Sequence, residues 1–176
     1  MRTRRTTRRD AAALRRFECA SDTWYEREVE DYIRRNLAEA VANGRRVIVF
    51  DDETEIVALT EHHPEYDPSG SGLVISWLSV VAIRIDRQGS ILPTGQRLSD
   101  SVLSALISDA LMEPGRAPVV AAYVAAENIR SRRICGRAGL VEEPAPDMLF
   151  VPTLGESRPY ILVSQKFTRI RPPRAR

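Results

Sequence analysis

Few residues in this chain have types and spacing suited to chemistry. Glu61, His62 and His63 run together, and Asp86 follows some way on. Carboxylates and imidazoles are side chains that take up a proton from a reacting group. Neighbouring histidines suggest a metal, but successive side chains of a strand point to opposite faces. His62 and His63 are therefore not assigned to one ion, and no metal site is expected. Cys19 and Cys135 lie far apart, with no further cysteine at metal-ligand spacing. That pattern supports neither a zinc site nor a disulfide framework, and a reducing cytoplasm is the default compartment.

Arginine carries nearly all the positive charge. Lys166 is the only lysine, as expected of a GC-rich genome. Arg2, Arg4, Arg5, Arg8 and Arg9 open the chain; Arg169, Arg171, Arg174 and Arg176 close it, while the net charge is only +2. Two readings stay open for residues 1–9 and 168–176. They are solvated, unstructured ends, or they contact the phosphates of a nucleic acid. The lack of an aromatic platform or DNA-reading motif favours the first.

The chain has 176 residues, 43% of them hydrophobic, enough for one domain with one core, residues 1–176. No apolar run reaches the roughly 18 residues of a membrane span. The basic N-terminus has no apolar stretch behind it, so it is not read as a secretory signal. Asp10, Glu18 and Asp22 argue against a mitochondrial-type presequence.

The elements that must position these residues follow from pattern. Residues 2–6 read as an edge strand, and Thr7 caps a helix from Arg8 to Phe17. Ser21 or Asp22 caps a longer helix with Trp24, Val29, Ile33, Leu37 and Val41 at helical spacing, stopped by Gly44. Strands follow at 46–50 and 55–60, joined by a turn at Asp51–Glu53. Residues 64–72 read as a loop, 73–85 as a long strand, 86–94 as an irregular loop and 98–111 as a helix. Residues 118–125 are an apolar run of the kind expected for a central strand covered on both faces. Asn128–Ala138 is a helix with Gly139 as its C-cap, and 148–151 and 160–167 are the last strands. The order β-α-α-β-β-β-α-β-α-β-β implies an α/β mixed sheet with helices on its faces.

That order resembles the GNAT acetyltransferase superfamily over nearly the whole chain. The strongest local match is Glu127-Asn128-Ile-Arg-Ser131-Arg-Arg-Ile-Cys135-Gly-Arg-Ala-Gly139-Leu140. It resembles the family's Asn, helix and "Tyr-Glu-Lys/Arg-x-Gly-Phe". Arg5–Leu14 is similar to its first strand and helix, and Tyr160–Lys166 to its last strand. The family's Arg/Gln-x-x-Gly-x-Gly/Ala loop overlays on Thr94-Gly95-Gln96-Arg97-Leu98-Ser99. Here Arg97 stands for a glycine and Thr94 for the leading Arg or Gln. Gly95 is expected to offer an exposed amide, with Arg97 pairing to phosphate through its fork.

The resemblance implies a mostly antiparallel, twisted sheet whose fourth and fifth strands run parallel and split into a V. It implies acetyl-CoA, or another acyl-CoA, as acyl donor. Gly95, Gln96, Arg97 and Ser99 would cradle the pyrophosphate at a helix N-terminus. Backbone groups of Val81, Ala82 and Ile83 would bond the pantetheine and polarise the thioester. Asn128 and Ser131 would hold the donor near the fifth strand. Cys135 takes the position of the family's Tyr, which protonates the departing thiolate. Glu61 and His62, with His63 and Asp86, are the candidates for the base that deprotonates an amine. The acceptor would be a small-molecule or peptide amine, delivered without a membrane, and a homodimer is compatible with this reading. The competing class is a GNAT-shaped protein that binds CoA, a protein or a nucleic acid without catalysis.

Overall fold

The computed structural model describes residues 1–66, 74–112, 119–142, 150–151 and 155–163. The chain opens with strand β1, Arg2–Arg5. A 3₁₀ turn at Arg8–Asp10 leads into the short helix α1, Ala11–Leu14. The first helix thus ends three residues earlier than its sequence suggests. Asp10 ties the turn by accepting from the Thr7 N–H at 2.6 Å. Helix α2, Trp24–Tyr32, continues through a π turn at Ile33–Leu37 into α3, Ala38–Ala42. Its N-cap is Thr23, not Ser21 or Asp22, because the Thr23 hydroxyl reaches the Glu26 N–H. Gly44, at φ 101°, stops the run, and the Arg45 N–H closes back on the Ala40 carbonyl at 2.9 Å.

Strands β2, Ile48–Asp51, and β3, Ile56–Tyr66, form a hairpin. β3 runs six residues past its expected end, and beyond Thr60 it no longer pairs with β2. From there it is an edge on that side, where Pro64 interrupts no ladder. β4 is Val74–Ile83, α4 Leu98–Met112, β5 Val119–Ala125 and α5 Ile129–Arg137. The short strands β6, Val141–Glu142, and β7, Phe150–Val151, precede β8, Gly155–Val163. β6 has no sequence signal, and β8 starts five residues before the apolar run at Tyr160. The predicted residues 148–149 and 164–167, and the C-terminal arginines, lie outside the described residues.

The strand order is β1-β2-β3-β4-β5-β8-β6, with β7 on β8. Among the described strands only β4 and β5 run parallel, as the helix between them requires. They pair over Ile75–Trp77 and Val119–Ala121 and no further. The expected V is therefore present: the longer strands separate after three residues.

Both faces are covered. Leu14, Phe17, Ile33, Leu37 and Val41 pack over Val49, Leu59, Val80 and Ala82. On the other face Leu103, Leu106, Ala110 and Cys135 pack over Leu78, Val120, Ala122 and Val124. Leu98 and Val102 cover Ile48, Phe50 and Ala58. Each fully buried aliphatic side chain contributes about 1.5–3 kcal/mol. Among the described residues no helix is long and apolar enough to cross a membrane.

β1 is tied in by charge. Arg4 donates both Nη groups to Asp10, at 2.9 and 2.8 Å, and its Nε to Asp51 on β2. Arg2 reaches Asp51 at 3.3 Å, and Arg5 bonds Asp109 on α4. The opening arginines 2, 4 and 5 thus belong to a paired strand and carry carboxylate partners, while Arg2 and Arg5 stay exposed to solvent.

Candidate active site

The split between β4 and β5 opens a cleft of about 540 Å³ that passes through the sheet, from α2 on one face to α4 and α5 on the other. Val81, Ala82 and Ile83 form one wall, and Ala122, Val124 and Ala125 the other. Past Trp77 no strand among the described residues pairs with β4 on this side, so its edge groups are left for whatever enters.

The end between α4 and α5 is polar and mostly cationic. Arg97, Ser99, Asn128, Ser131 and Arg137 all line it. At the start of α4 the Leu98 N–H donates to the Ser90 carbonyl, and the Asp100 and Ser101 N–H groups to the Arg97 carbonyl. The Ser99 N–H has no partner among the described residues. A free amide at a helix N-terminus is an anion donor. Asn128 caps α5, its side-chain oxygen accepting from the Ser131 N–H at 2.9 Å. One charge opposes an anion here: Asp100, gripped by Arg137 at 2.6 Å.

Gly95 and Gln96 do not line the cleft. The segment from Ile91 to Arg97 is a small hairpin, closed by Leu92 N–H to Gln96 O and Gly95 N–H to Leu92 O, each 2.8 Å. The Gly95 amide is therefore spent inside the turn, which corrects the expectation of an exposed donor. Its glycine answers to backbone shape, with φ 81°.

Cys135 does line the cleft, with only 6% of its surface exposed. Burial pushes its thiol up to about 11. Cys19 lines the opposite end, and burial, with Glu30 and Glu26 nearby, pushes it up to about 12. Both thiols are free and stay protonated at neutral pH.

Around Cys19 the cleft is walled by Tyr25, Glu26 and Val29 of α2. The Glu30 carboxylate accepts from the Cys19 and Ala20 N–H groups at 2.8 Å each, and Gln88 donates to the Cys19 carbonyl. The segment before α2 is thereby pinned. Burial raises the Glu26 pKa, but hydrogen bonds from Ser21 and Thr23 outweigh it and hold the carboxyl below its ordinary range. At the base of the split Trp77 and Tyr123 stack with centroids 4.8 Å apart and planes within 11°.

Glu61 and His62 lie away from this cleft, beside a separate cavity of about 40 Å³. Strand parity sends them to opposite faces. Glu61 turns under α2, where the Tyr32 hydroxyl donates to it at 2.7 Å and Arg45 sits 2.6 Å away. Burial and Glu61 push Tyr32 up to about 12. His62 turns toward α4, with Ser76 Oγ 2.9 Å from Nδ1 and Asp109 3.1 Å from Nε2. Asp86 is ion-paired with Arg84 and is not on the cleft.

Three residues had no recognisable signal. Tyr25 and Glu26 sit in a helix whose spacing speaks only of packing. Ser79 is on the cleft because β4 bulges there: Glu61 pairs with Val80 but His62 with Leu78, leaving Ser79 without an opposite residue. That bulge brings His63, a candidate base by type, to Ser79, with Nδ1 2.6 Å from Oγ.

No protein-family model matches this sequence. No curated protein matches it either. Solved structures do. A Desulfovibrio desulfuricans protein assigned to the GNAT acetyltransferase family is similar at TM-score 0.64 and 19% identity, over 92% of this chain and 98% of its own. A ribosomal-protein-alanine N-acetyltransferase from Brucella melitensis is similar at TM-score 0.63 and 16% identity, over 93% and 100%. Arabidopsis thaliana NAA60 in complex with acetyl-CoA is similar at TM-score 0.58 and 11% identity, over 93% and 99%. With the split parallel pair at its centre, this chain has the fold of the GNAT-family acetyltransferases.

Proposed function

We propose that this protein is an acyl-CoA-dependent N-acyltransferase that moves an acetyl group to an amine by direct attack. The observation that carries this reading is the cleft itself. It has two unpaired strand edges, an arginine-bearing helix terminus at one end, and a carboxylate beside aromatic rings at the other. The residues fit a donor that is a thin amide-bearing chain with phosphates at one end. Arg97, Arg137 and the Ser99 N–H would take the phosphates; the edges at Val81–Ile83 and Ala122–Ala125 would take the amides. When bound, the donor supplies an activated acyl carbon and a thiol leaving group. The chain's own residues orient it, exclude water and move a proton. Glu26, held ionised, suits an acceptor that arrives as an ammonium.

The similarly folded plant protein NAA60 is in complex with acetyl-CoA, and acetyl is the acyl group proposed here. Calorimetric titration with acetyl-CoA, followed by thiol release over a panel of small and peptide amines, tests the reading. Micromolar binding with amine-dependent release is expected. Binding without release from any amine would favour the second reading, a CoA-binding protein without transfer. That second reading draws on Cys135, which stands where the GNAT pattern has its tyrosine.

A further inference from the structure

The β4 bulge places one hydroxyl between the cleft and an imidazole. Ser79 lines the cleft two residues past the last β4–β5 pair. Its Oγ lies 2.6 Å from His63 Nδ1, well inside the 3.4 Å to its other acceptor, the Trp77 carbonyl. His63 itself is solvent-exposed, and its register partner is Trp77, which stacks on Tyr123. Resting on the transferase reading above, we propose that Ser79 and His63 form the relay that takes the proton from the acceptor amine. Ser79 Oγ meets the amine. His63 acts through Ser79 and is a positioning residue.

The relay balances. The ammonium that enters beside Glu26 first gives one proton to water; the neutral amine nitrogen then bonds to the acyl carbon, and the carbon–sulfur bond breaks with its electron pair on sulfur. The nitrogen's proton passes to Ser79 Oγ as the hydroxyl's own proton passes to His63 Nδ1. The imidazolium then releases a proton from its exposed Nε2 to water, and the thiolate takes one from water. Nothing is oxidised. The step requires the His63 tautomer with Nδ1 unprotonated before reaction.

The other titratable groups on this side of the sheet are poorer acceptors. Glu61 is buried between Tyr32 and Arg45. Glu26 is a weakened base, since its carboxyl is held below the ordinary range. Glu30 is occupied by two backbone amides. Cys19 and Tyr32 are pushed up to about 12 and begin protonated. Arg45 and Arg130 are cations. His62, one residue away, is committed to Ser76 and Asp109 on the opposite face and serves as an internal control.

The test uses the full chain. Nitrogen-15 chemical shifts of the imidazoles report the tautomer of His63 without any donor present. The Nε2–H form is expected, with a shift change in Ser79→Ala. Thiol release against pH is then compared for wild type, His63→Gln, Ser79→Ala, Ser79→Thr and His62→Gln. His63→Gln and Ser79→Ala are expected to lower kcat by about 10²–10³-fold. Both should lose the rising limb of the pH profile and leave calorimetric acetyl-CoA affinity within about twofold. Ser79→Thr keeps the hydroxyl and should keep the limb, as should His62→Gln. An Nδ1–H tautomer, or an unchanged pH profile in His63→Gln while the wild type binds acetyl-CoA and transfers, overturns the relay alone. Absence of acetyl-CoA binding to the wild type overturns the transferase reading and the relay with it.

Discussion

Arg137, at the last turn of α5, grips Asp100, in the first turn of α4, through Nη2 at 2.6 Å and Nε at 3.1 Å. The pair holds the Asp100 carboxyl below its ordinary range, with Arg137 the chief cause. It also places a negative charge beside the helix terminus that would receive phosphate. Asp100→Asn should free Arg137 and tighten acetyl-CoA binding by roughly tenfold at low salt. That corresponds to ~1–1.5 kcal/mol for a partly screened charge near a helix N-terminus. Arg137→Ala should weaken binding by a similar factor. Calorimetry at two salt concentrations checks both, and weaker binding in Asp100→Asn would remove Asp100 from the phosphate end.

Gly95 separates backbone shape from ligand contact. A Cβ at this position would meet nothing within 4 Å, yet φ is 81°, a region L-residues avoid. Gly95→Ala should therefore lower stability by about 1–2 kcal/mol through strain. Acetyl-CoA affinity should change less than about threefold, because the amide already bonds Leu92. Gly95→Asn should recover part of the stability, since Asn tolerates this conformation. Denaturant melts paired with calorimetry decide the matter. A tenfold affinity loss in Gly95→Ala with an unchanged midpoint would return the amide to the ligand.

Much of this architecture is written in local pattern. The helical stripe Val29, Ile33, Leu37 and Val41, the glycine stops at Gly44 and Gly139, and the apolar run of β5 each act over a few residues. The parallel pair follows from the helix between its strands. The site is less legible because it depends on register. Glu61, His62 and His63 are equal in sequence, and parity sends one under α2 and the next toward α4. A one-residue bulge at Ser79 then decides which of them meets the cleft, and nothing in the residues around Ser79 announces it. The Gly95 hairpin is hidden for a similar reason, since a glycine two residues before an arginine reads equally as an anion loop or a turn. The carboxylate partners of the opening arginines are not legible either, since Asp51 and Asp109 are distant in sequence and are brought to them only by the fold.

Acid should loosen the N-terminal strand first. Arg4, the largest influence, holds the Asp10 carboxyl down at about 2. A carboxyl depressed in the folded state contributes stability that is full above its unfolded value and is lost as pH falls through the folded one. The window therefore runs from about pH 4 down to about pH 2, set by an unfolded Asp near 3.9. Asp10 is mostly covered, so about 1–2 kcal/mol is at stake after screening. Asp10→Asn should be less stable at pH 7 by that amount and show a flatter stability curve between pH 4 and pH 2. Urea melts across that range check it, and parallel curves for the two proteins would show that the pair contributes nothing.

Cys135 decides how the departing thiolate is treated. It lines the cleft where the GNAT pattern has a tyrosine, and the Leu140 N–H bonded to the Cys135 carbonyl at 3.0 Å fixes its place at the helix end. Its surroundings are apolar, with Leu78, Val120, Ala122 and Leu140 in the same cluster. Burial pushes the thiol up to about 11, above an ordinary thiol, so its proton leaves less readily than the proton of the group it would serve. The side chain is also short and its S–H is a weak donor. Both facts make Cys135 a packing residue. Cys135→Ala should then lower transfer by less than about tenfold, short of the 10²–10⁴ expected of a positioned acid. Stability should fall by ~1 kcal/mol from the small void left in the core. Cys135→Ser puts a stronger donor at the same place but buries a hydroxyl among aliphatic side chains, so it should be the less stable of the two and no faster. Single-turnover rates and melting temperatures for both variants settle the role. A hundredfold slower Cys135→Ala with unchanged melting temperature and acetyl-CoA affinity would make the thiol the proton donor after all.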